Sequence, residues 1–483
     1  MRKILVIFLV LFLSLLAGLI AASGSTIFVV AFAGMCGAVF LAFSPALLFG
    51  SMIVFSLAVT GVAEFYFFIN QVNWVASLMG LALLVMALLT NLKSTQRQPL
   101  RVRPPLPSTT PLIVLYVLLL LLSSAMNQVP LVQLLIGVRY YLCYLGVYFA
   151  LQSYANSDRE QQLWVKMLLG FGLVQLPFCL HQAIFIAPKR AHSLQAVGEG
   201  VESIVGSFGG NQLGGGYTGE MAVFMLMASA LAIALAPSLK RGRLLATVMC
   251  ICALGCVGLA ETKIVFVLTP VVMGIVLWEQ IRASSRYMFG VLFGAASALG
   301  LIGAVYAWRF WTKGPGEFWH AFTYSFDPNF MVDRLHRGRV ATLVHWWDHN
   351  VLHFDLLHSL LGYGMGASVE QSSILRAGNA VLLFGVGLDA HAASKLLWDG
   401  GLLGFGMLGL IILRSGWNAH RAVTMAGIPD FHRNVLKMAR AAMFCFAAML
   451  PYQVSIVGGA PMQFLFWFFV GYIEYWRAQA RGN

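Results

Sequence analysis

Arg334, Arg337 and Arg339, followed by His345, His349 and His353, crowd one short segment of a 483-residue chain that is 59% hydrophobic and only 10% charged. Guanidinium groups are planar and permanently charged, and they grip phosphate in bidentate fashion. Three of them can hold a diphosphate and steady its charge as it departs, without help from a metal ion. The three histidines recur every four residues and would line one helical face, a spacing compatible with metal ligation. Trp346 and Trp347 stand between them, however, so the expected role is packing of an interfacial helix, and neither a metal nor any cofactor is expected. His391 follows Asp389 closely in LDAHAASKLLWDGGLLG. An imidazole oriented by that carboxylate could take the proton of a hydroxyl nucleophile.

Other polar residues interrupt the apolar sequence. Arg139, in IGVRYYLCY, falls well inside an apolar run. A charge at the centre of a membrane helix costs roughly 2.5–3.5 kcal/mol, so Arg139 is expected to face a partner or a wet cavity. Glu261 and Lys263 form a short polar break in GLAETKIVF. The lysine could hold a lipid phosphate, or the break could be an ordinary hairpin. The stretch GSFGGNQLGGGYTGE, which includes Asn211, leads into an apolar helix. Its glycines let the backbone approach a ligand near a helix N-terminus, although no phosphate-binding fingerprint is matched. Lys189 and Arg190 supply a second cationic pair.

The elements that must position these residues are helical. Apolar runs long enough to cross a bilayer recur about 14 times, the first at 4 to 22 and 27 to 43, the last at 440 to 457 and 461 to 476. The expected class is an all-α, polytopic membrane protein. The N-terminal stretch has the look of a secretory signal and is expected to remain as an uncleaved first helix. Lysine and arginine gather in every second loop, as at Arg2 and Lys3, at Lys93 to Arg103, at Lys240 to Arg243 and at Arg414 to Arg440. This places both termini in the cytoplasm and the two long connections, 188–219 and 309–398, on the outer face. The net charge of +13 is then a product of topology and not a nucleic-acid footprint. Three regions are expected: a helix bundle over 1–308, a large outer loop with interfacial helices over 309–398, and C-terminal spans over 399–483. The seven cysteines all fall in apolar runs and are expected to be small buried hydrophobes.

The order of these parts resembles the superfamily of O-antigen ligases and Wzy-type polysaccharide polymerases. The resemblance rests on Gly206 to Asn211, on Glu261 to Lys263, on Arg337 or Arg339, on LLGYGMG from Leu360 to Gly366, and on His391 followed by WDGGLLG. It covers roughly residues 130 to 420, and the polar break reads Glu-Thr-Lys where relatives often have Ser-Arg. His391 is followed by Ala392 where relatives often have asparagine.

The resemblance implies a GT-C-like enzyme of the bacterial inner membrane that joins undecaprenyl-diphosphate-linked oligosaccharides at the periplasmic face by inverting, metal-independent transfer. Arg337 and Arg339 would hold the leaving diphosphate and His391 would deprotonate the acceptor. Arg334, Arg139, Lys263, Glu261, Asn211, Lys189, Arg190 and Asp389 would line the substrate site. A chain-length regulator and a flippase would be its partners, besides membrane lipids. Ligation to a terminal acceptor, transport of the lipid-linked oligosaccharide and a noncatalytic scaffold are the alternatives.

Overall fold

A computed structural model of the chain describes residues 45–97, 107–153, 157–193, 200–212, 215–311, 323, 326–332, 336–370 and 375–482. The described residues are mostly helical, with almost no sheet, as the long apolar runs require. The expected spans at 4 to 22 and 27 to 43 lie outside them.

From the N-terminal side, α1 (Pro45–Phe67) and α2 (Val72–Arg97) are followed by α3 (Thr110–Met126). A bent pair comes next, α4 (Leu131–Tyr141) and α5 (Leu145–Ser153), with 51° between them. The long α6 (Asp158–Arg190) then leads to α7 (Thr218–Leu235), α8 (Gly242–Ala260), α9 (Ile264–Val276) and α10 (Ser285–Trp311). Among the described residues, the second long connection holds the short helices α11 (Arg339–Trp346), α12 (Leu356–Leu361) and α13 (Asn379–Phe384). Finally α14 (Ala392–Thr424), α15 (Asp430–Met449) and α16 (Ala460–Gly482) complete the bundle. Among the described residues, six helices are long and apolar enough to cross a membrane, or seven if the bent pair counts as one. Two of the expected spans, α3 and α9, form helices of only 17 and 13 residues.

The centre of the bundle is α7, in which every residue but Ile233 is buried. A helix that is apolar all round belongs in a core, and α7 packs against α6, α8, α9 and α15. Small residues let other helices approach closely. A Cβ added to Gly146 of α5 would lie 1.8 Å from the Gly80 carbonyl oxygen of α2.

Polar clamps tie the basic end of the bundle. Glu474 of α16 accepts from Thr109 Oγ1 at 2.6 Å, bonds Asn418 of α14, and lies 3.8 Å from Arg477. His432 of α15 bridges Asp158 of α6 and Tyr472 of α16. Because successive helices alternate in direction, both long connections gather at the opposite end. A two-stranded ribbon, β1 (Gly210–Asn211) with β2 (Gly215–Gly216), folds the first connection over α1.

The second connection forms a cap with its own small core of Trp346, Tyr363, Ala380, Leu388 and Trp398. The rings of His345 and His349 lie 4.2 Å apart, and those of His349 and His353 stack at 5.9 Å. Trp347, Leu352, Phe354 and Leu356 project outward, with Phe354 91% exposed. That surface has the amphipathic character of a helix that lies along a membrane.

Candidate functional site

The site is built on a broken helix. Helix α14 is interrupted at Gly401, whose φ of +63° is left-handed. A break within a helix leaves carbonyls and amides without partners, and they must be satisfied from elsewhere. The loop from Gly362 to Ser368 supplies those partners. Tyr363 N–H donates to the Trp398 carbonyl at 2.7 Å, and Gly364 N–H donates to the Asp399 carbonyl at 3.0 Å. The Asp399 carboxylate accepts from Gly366 N–H at 3.1 Å, Ser368 N–H at 2.7 Å and the Tyr141 hydroxyl at 2.7 Å. Gly362, Gly364 and Gly366 all have positive φ, and a Cβ on Gly362 would meet the Gly400 amide nitrogen at 2.6 Å. These glycines therefore let a loop lie flat on a helix break.

One turn before Asp399, Lys395 is buried on the same helix. Its ammonium lies 3.6 Å from Asp389 Oδ2 and 4.4 Å from the centre of the Tyr140 ring. Asp389 in turn faces Glu370, whose second partner is His336, with Nε2 2.7 Å from Glu370 Oε2. Burial and the neighbouring Asp389 charge push the Glu370 carboxyl up to about 7. A parallel bridge between His336 and Gly387 holds this group together. Lys395, Asp389, Glu370 and His336 thus form a continuous chain from the core to the surface, where Glu370 and Asp389 are part-exposed.

His391 is fully buried and caps α14. Its Nδ1 accepts from Ser394 N–H at 3.0 Å, which leaves Nε2–H to donate to the Arg339 carbonyl at 3.0 Å. Burial holds the imidazole down to about 4. Both nitrogens are therefore committed, and the base role expected for His391 lacks a free lone pair in this geometry. Asp389, expected to orient the His391 ring, pairs with Lys395 instead.

Arg339 opens α11. Its Nε donates to the Tyr452 carbonyl at 2.8 Å, and its guanidinium lies over the Tyr452 ring at 4.4 Å. Its charge also acts on Glu220 in the first turn of α7. Glu220 is 3% exposed, and its Oε2 has no hydrogen-bond partner among the described residues. Arg337 faces another way. It forms a bridge with Met331, and its charge, after burial itself, helps hold His345 down to about 4. Arg334 lies outside the described residues.

The other residues singled out in the sequence are placed as follows. Arg139 lies over the Trp74 and Tyr140 rings, 5.2 Å from each centre, and its charge reaches Glu64. Tyr140 therefore stands between Arg139 and Lys395. Arg190 is buried and committed to its own loop, to Ser203 at 3.0 Å and Glu202 at 3.3 Å, while Lys189 is exposed. Asn211 lies exposed on β1. Glu261 ends α8 with a left-handed φ of +51°, and Lys263 precedes α9.

Sequence reasoning did not single out Glu220, His336, Glu370, Lys395, Asp399 or Tyr452. Lys395 and Asp399 had a visible signal, two opposite charges four residues apart in an apolar helix. Comparison of the chain with protein-family models and with curated proteins gives no match.

Proposed function

We propose that the protein is a membrane glycosyltransferase that joins undecaprenyl-diphosphate-linked oligosaccharide units at the outer face of the inner membrane, as a polysaccharide polymerase does. The observation that carries this reading is Arg339. A guanidinium is held by a backbone carbonyl and an aromatic ring at the end of the bundle where both long connections meet, and its charge reaches the buried Glu220. Arginine fixed in this way, before the reaction begins, can stabilise charge that develops on a leaving diphosphate. The positive-inside rule assigns that end to the outer side.

In this reading the acceptor hydroxyl attacks the anomeric carbon, and the bond from that carbon to the diphosphate breaks with its electron pair leaving on oxygen. Arg339 stabilises the departing charge, Arg139 and the aromatic rings around it shape the adjoining wall, and the apolar cap surface rests on lipid. His391 acts as a positioning residue, because its ring joins the start of α14 to the Arg339 backbone.

The test is turnover by the purified protein in proteoliposomes, supplied with lipid-linked repeat units extracted from cells lacking the gene. A ladder of lengthened glycans with release of undecaprenyl diphosphate is expected. Intact repeat units with the wild-type protein, or an equal ladder with Arg339→Ala, would refute the proposal.

A further inference from the structure

With both nitrogens of His391 engaged, the transfer reaction needs another proton acceptor. We propose that Glu370, working as a pair with Asp389, is the general base that takes the proton of the acceptor hydroxyl. The inference rests on the glycosyltransferase reading and deepens it.

Three features of the geometry support the assignment. First, the pair has an inner anchor and an open outer side. Lys395, 1% exposed, holds Asp389 at 3.6 Å, whereas the Glu370 side chain is 31% exposed and can meet a substrate. Second, the site is shaped for this carboxyl group. Gly387 lies directly against this carboxyl, and a Cβ there would come within 1.8 Å of Glu370 Oε1 and push the carboxyl aside. Third, the backbone bridge between His336 and Gly387, with His391 bonded to the Arg339 carbonyl, joins the pair to the arginine through a few residues of chain.

The electrostatics agree with such a role. Among the described residues, Asp389 and His336 are the charged or titratable groups that act on Glu370, and Lys395 acts on Asp389 from α14. Glu370 is held up to about 7, near the working pH of a cell envelope, where a base is both ionised and willing to accept a proton. Two carboxyls that face each other cannot easily both ionise, and Lys395 pairs with Asp389 rather than with Glu370. Glu370 is then the member that gains and loses the proton.

The step balances. The acceptor oxygen forms a bond to the anomeric carbon and its proton passes to Glu370. The carbon–oxygen bond to the diphosphate breaks, and the electron pair leaves with the diphosphate toward Arg339. Asp389 and His336 are positioning residues that set the basicity and orientation of Glu370.

The experiment is the pH profile of kcat for wild type, Glu370→Gln, Glu370→Asp and Asp389→Asn in proteoliposomes, alongside binding of undecaprenyl diphosphate to each. For wild type the rate should fall about tenfold per unit below an apparent pKa near 7, as expected when one base must be ionised. Glu370→Gln should lose about 10²–10⁴-fold in kcat and lose the acid limb, with undecaprenyl diphosphate bound as in wild type. Glu370→Asp should recover part of the rate, and Asp389→Asn should move the limb to lower pH. A Glu370→Gln protein that keeps both rate and limb while the wild type is active would overturn the base assignment alone. Loss of undecaprenyl diphosphate binding in both Glu370 variants would also overturn it, because the residue would then serve the fold. A wild-type protein that joins no units would overturn the underlying reading together with the base.

Discussion

Replacing Arg339 by alanine separates its part in the fold from its part in the reaction. The guanidinium donates to the Tyr452 carbonyl at 2.8 Å and covers the Tyr452 ring at 4.4 Å. A charged hydrogen bond contributes about 1.5–3 kcal/mol and a cation–π contact about 0.5–2 kcal/mol. The two Tyr452 contacts together are worth about 2–5 kcal/mol at most, so the single variant should be destabilised. The Arg339 charge also reaches the buried Glu220 side chain. The double variant Arg339→Ala with Glu220→Gln removes both ends of that longer-range interaction and should be about as stable as the single variant, because the lost contacts are those to Tyr452. Activity should behave differently, since one lost transition-state donor lowers turnover by about 10²–10³-fold whatever happens to stability. Melting temperature in detergent and polymer formation in proteoliposomes would be measured on the same preparations. A double variant that regains both stability and polymer would refute the leaving-group role and make Arg339 a purely structural partner of Glu220.

Other expectations concern the elements that hold the site. Asp399→Asn replaces one carboxylate oxygen by a donor opposite the Gly366 or Ser368 amide, and an orphaned buried amide costs about 1–3 kcal/mol. The melting temperature should fall accordingly, and an unchanged value would mean that the loop does not depend on that carboxylate. His391→Asn retains a good helix cap, whereas His391→Ala loses one worth about 1 kcal/mol. Transfer should therefore survive better in the asparagine variant, and equal, complete loss in both would restore His391 as a base. His391 is held down to about 4, so the folded protein keeps it neutral while the unfolded chain protonates near 6.5. Its contribution is fully present above that value and is lost as pH falls toward 4, by up to about 3 kcal/mol. Acid denaturation of His391→Asn should lack this part of the slope, and an identical slope would contradict the buried neutral ring.

The all-α class was legible because apolar runs of membrane length are hard to mistake, and the turn at LLGYGMG announced itself through glycines that do adopt positive φ. The break in α14 was half visible. The expected boundary at 398/399 falls inside this helix, which begins at Ala392 and carries Lys395 and Asp399 into the core. Sequence distance misled the reading of Asp389, which is two residues from His391 but turns to Lys395, because a buried ammonium has greater need of a counter-charge than a neutral imidazole does. Glu370 drew no notice because its partners, His336 and Asp389, are distant in sequence and only the cap brings them together. Likewise Arg337 and Arg339 read as equivalent cations until the short bridge and the start of α11 sent them to different neighbours.

The most direct test of the central claim is the sidedness of the lipid-linked oligosaccharide that accumulates when the gene is removed, probed on intact spheroplasts with a membrane-impermeant glycosidase. The account predicts single repeat units at the outer face, open to the enzyme, because export proceeds and joining fails. Repeat units protected at the inner face would contradict it and make the protein a transporter, with its charged residues lining a translocation path.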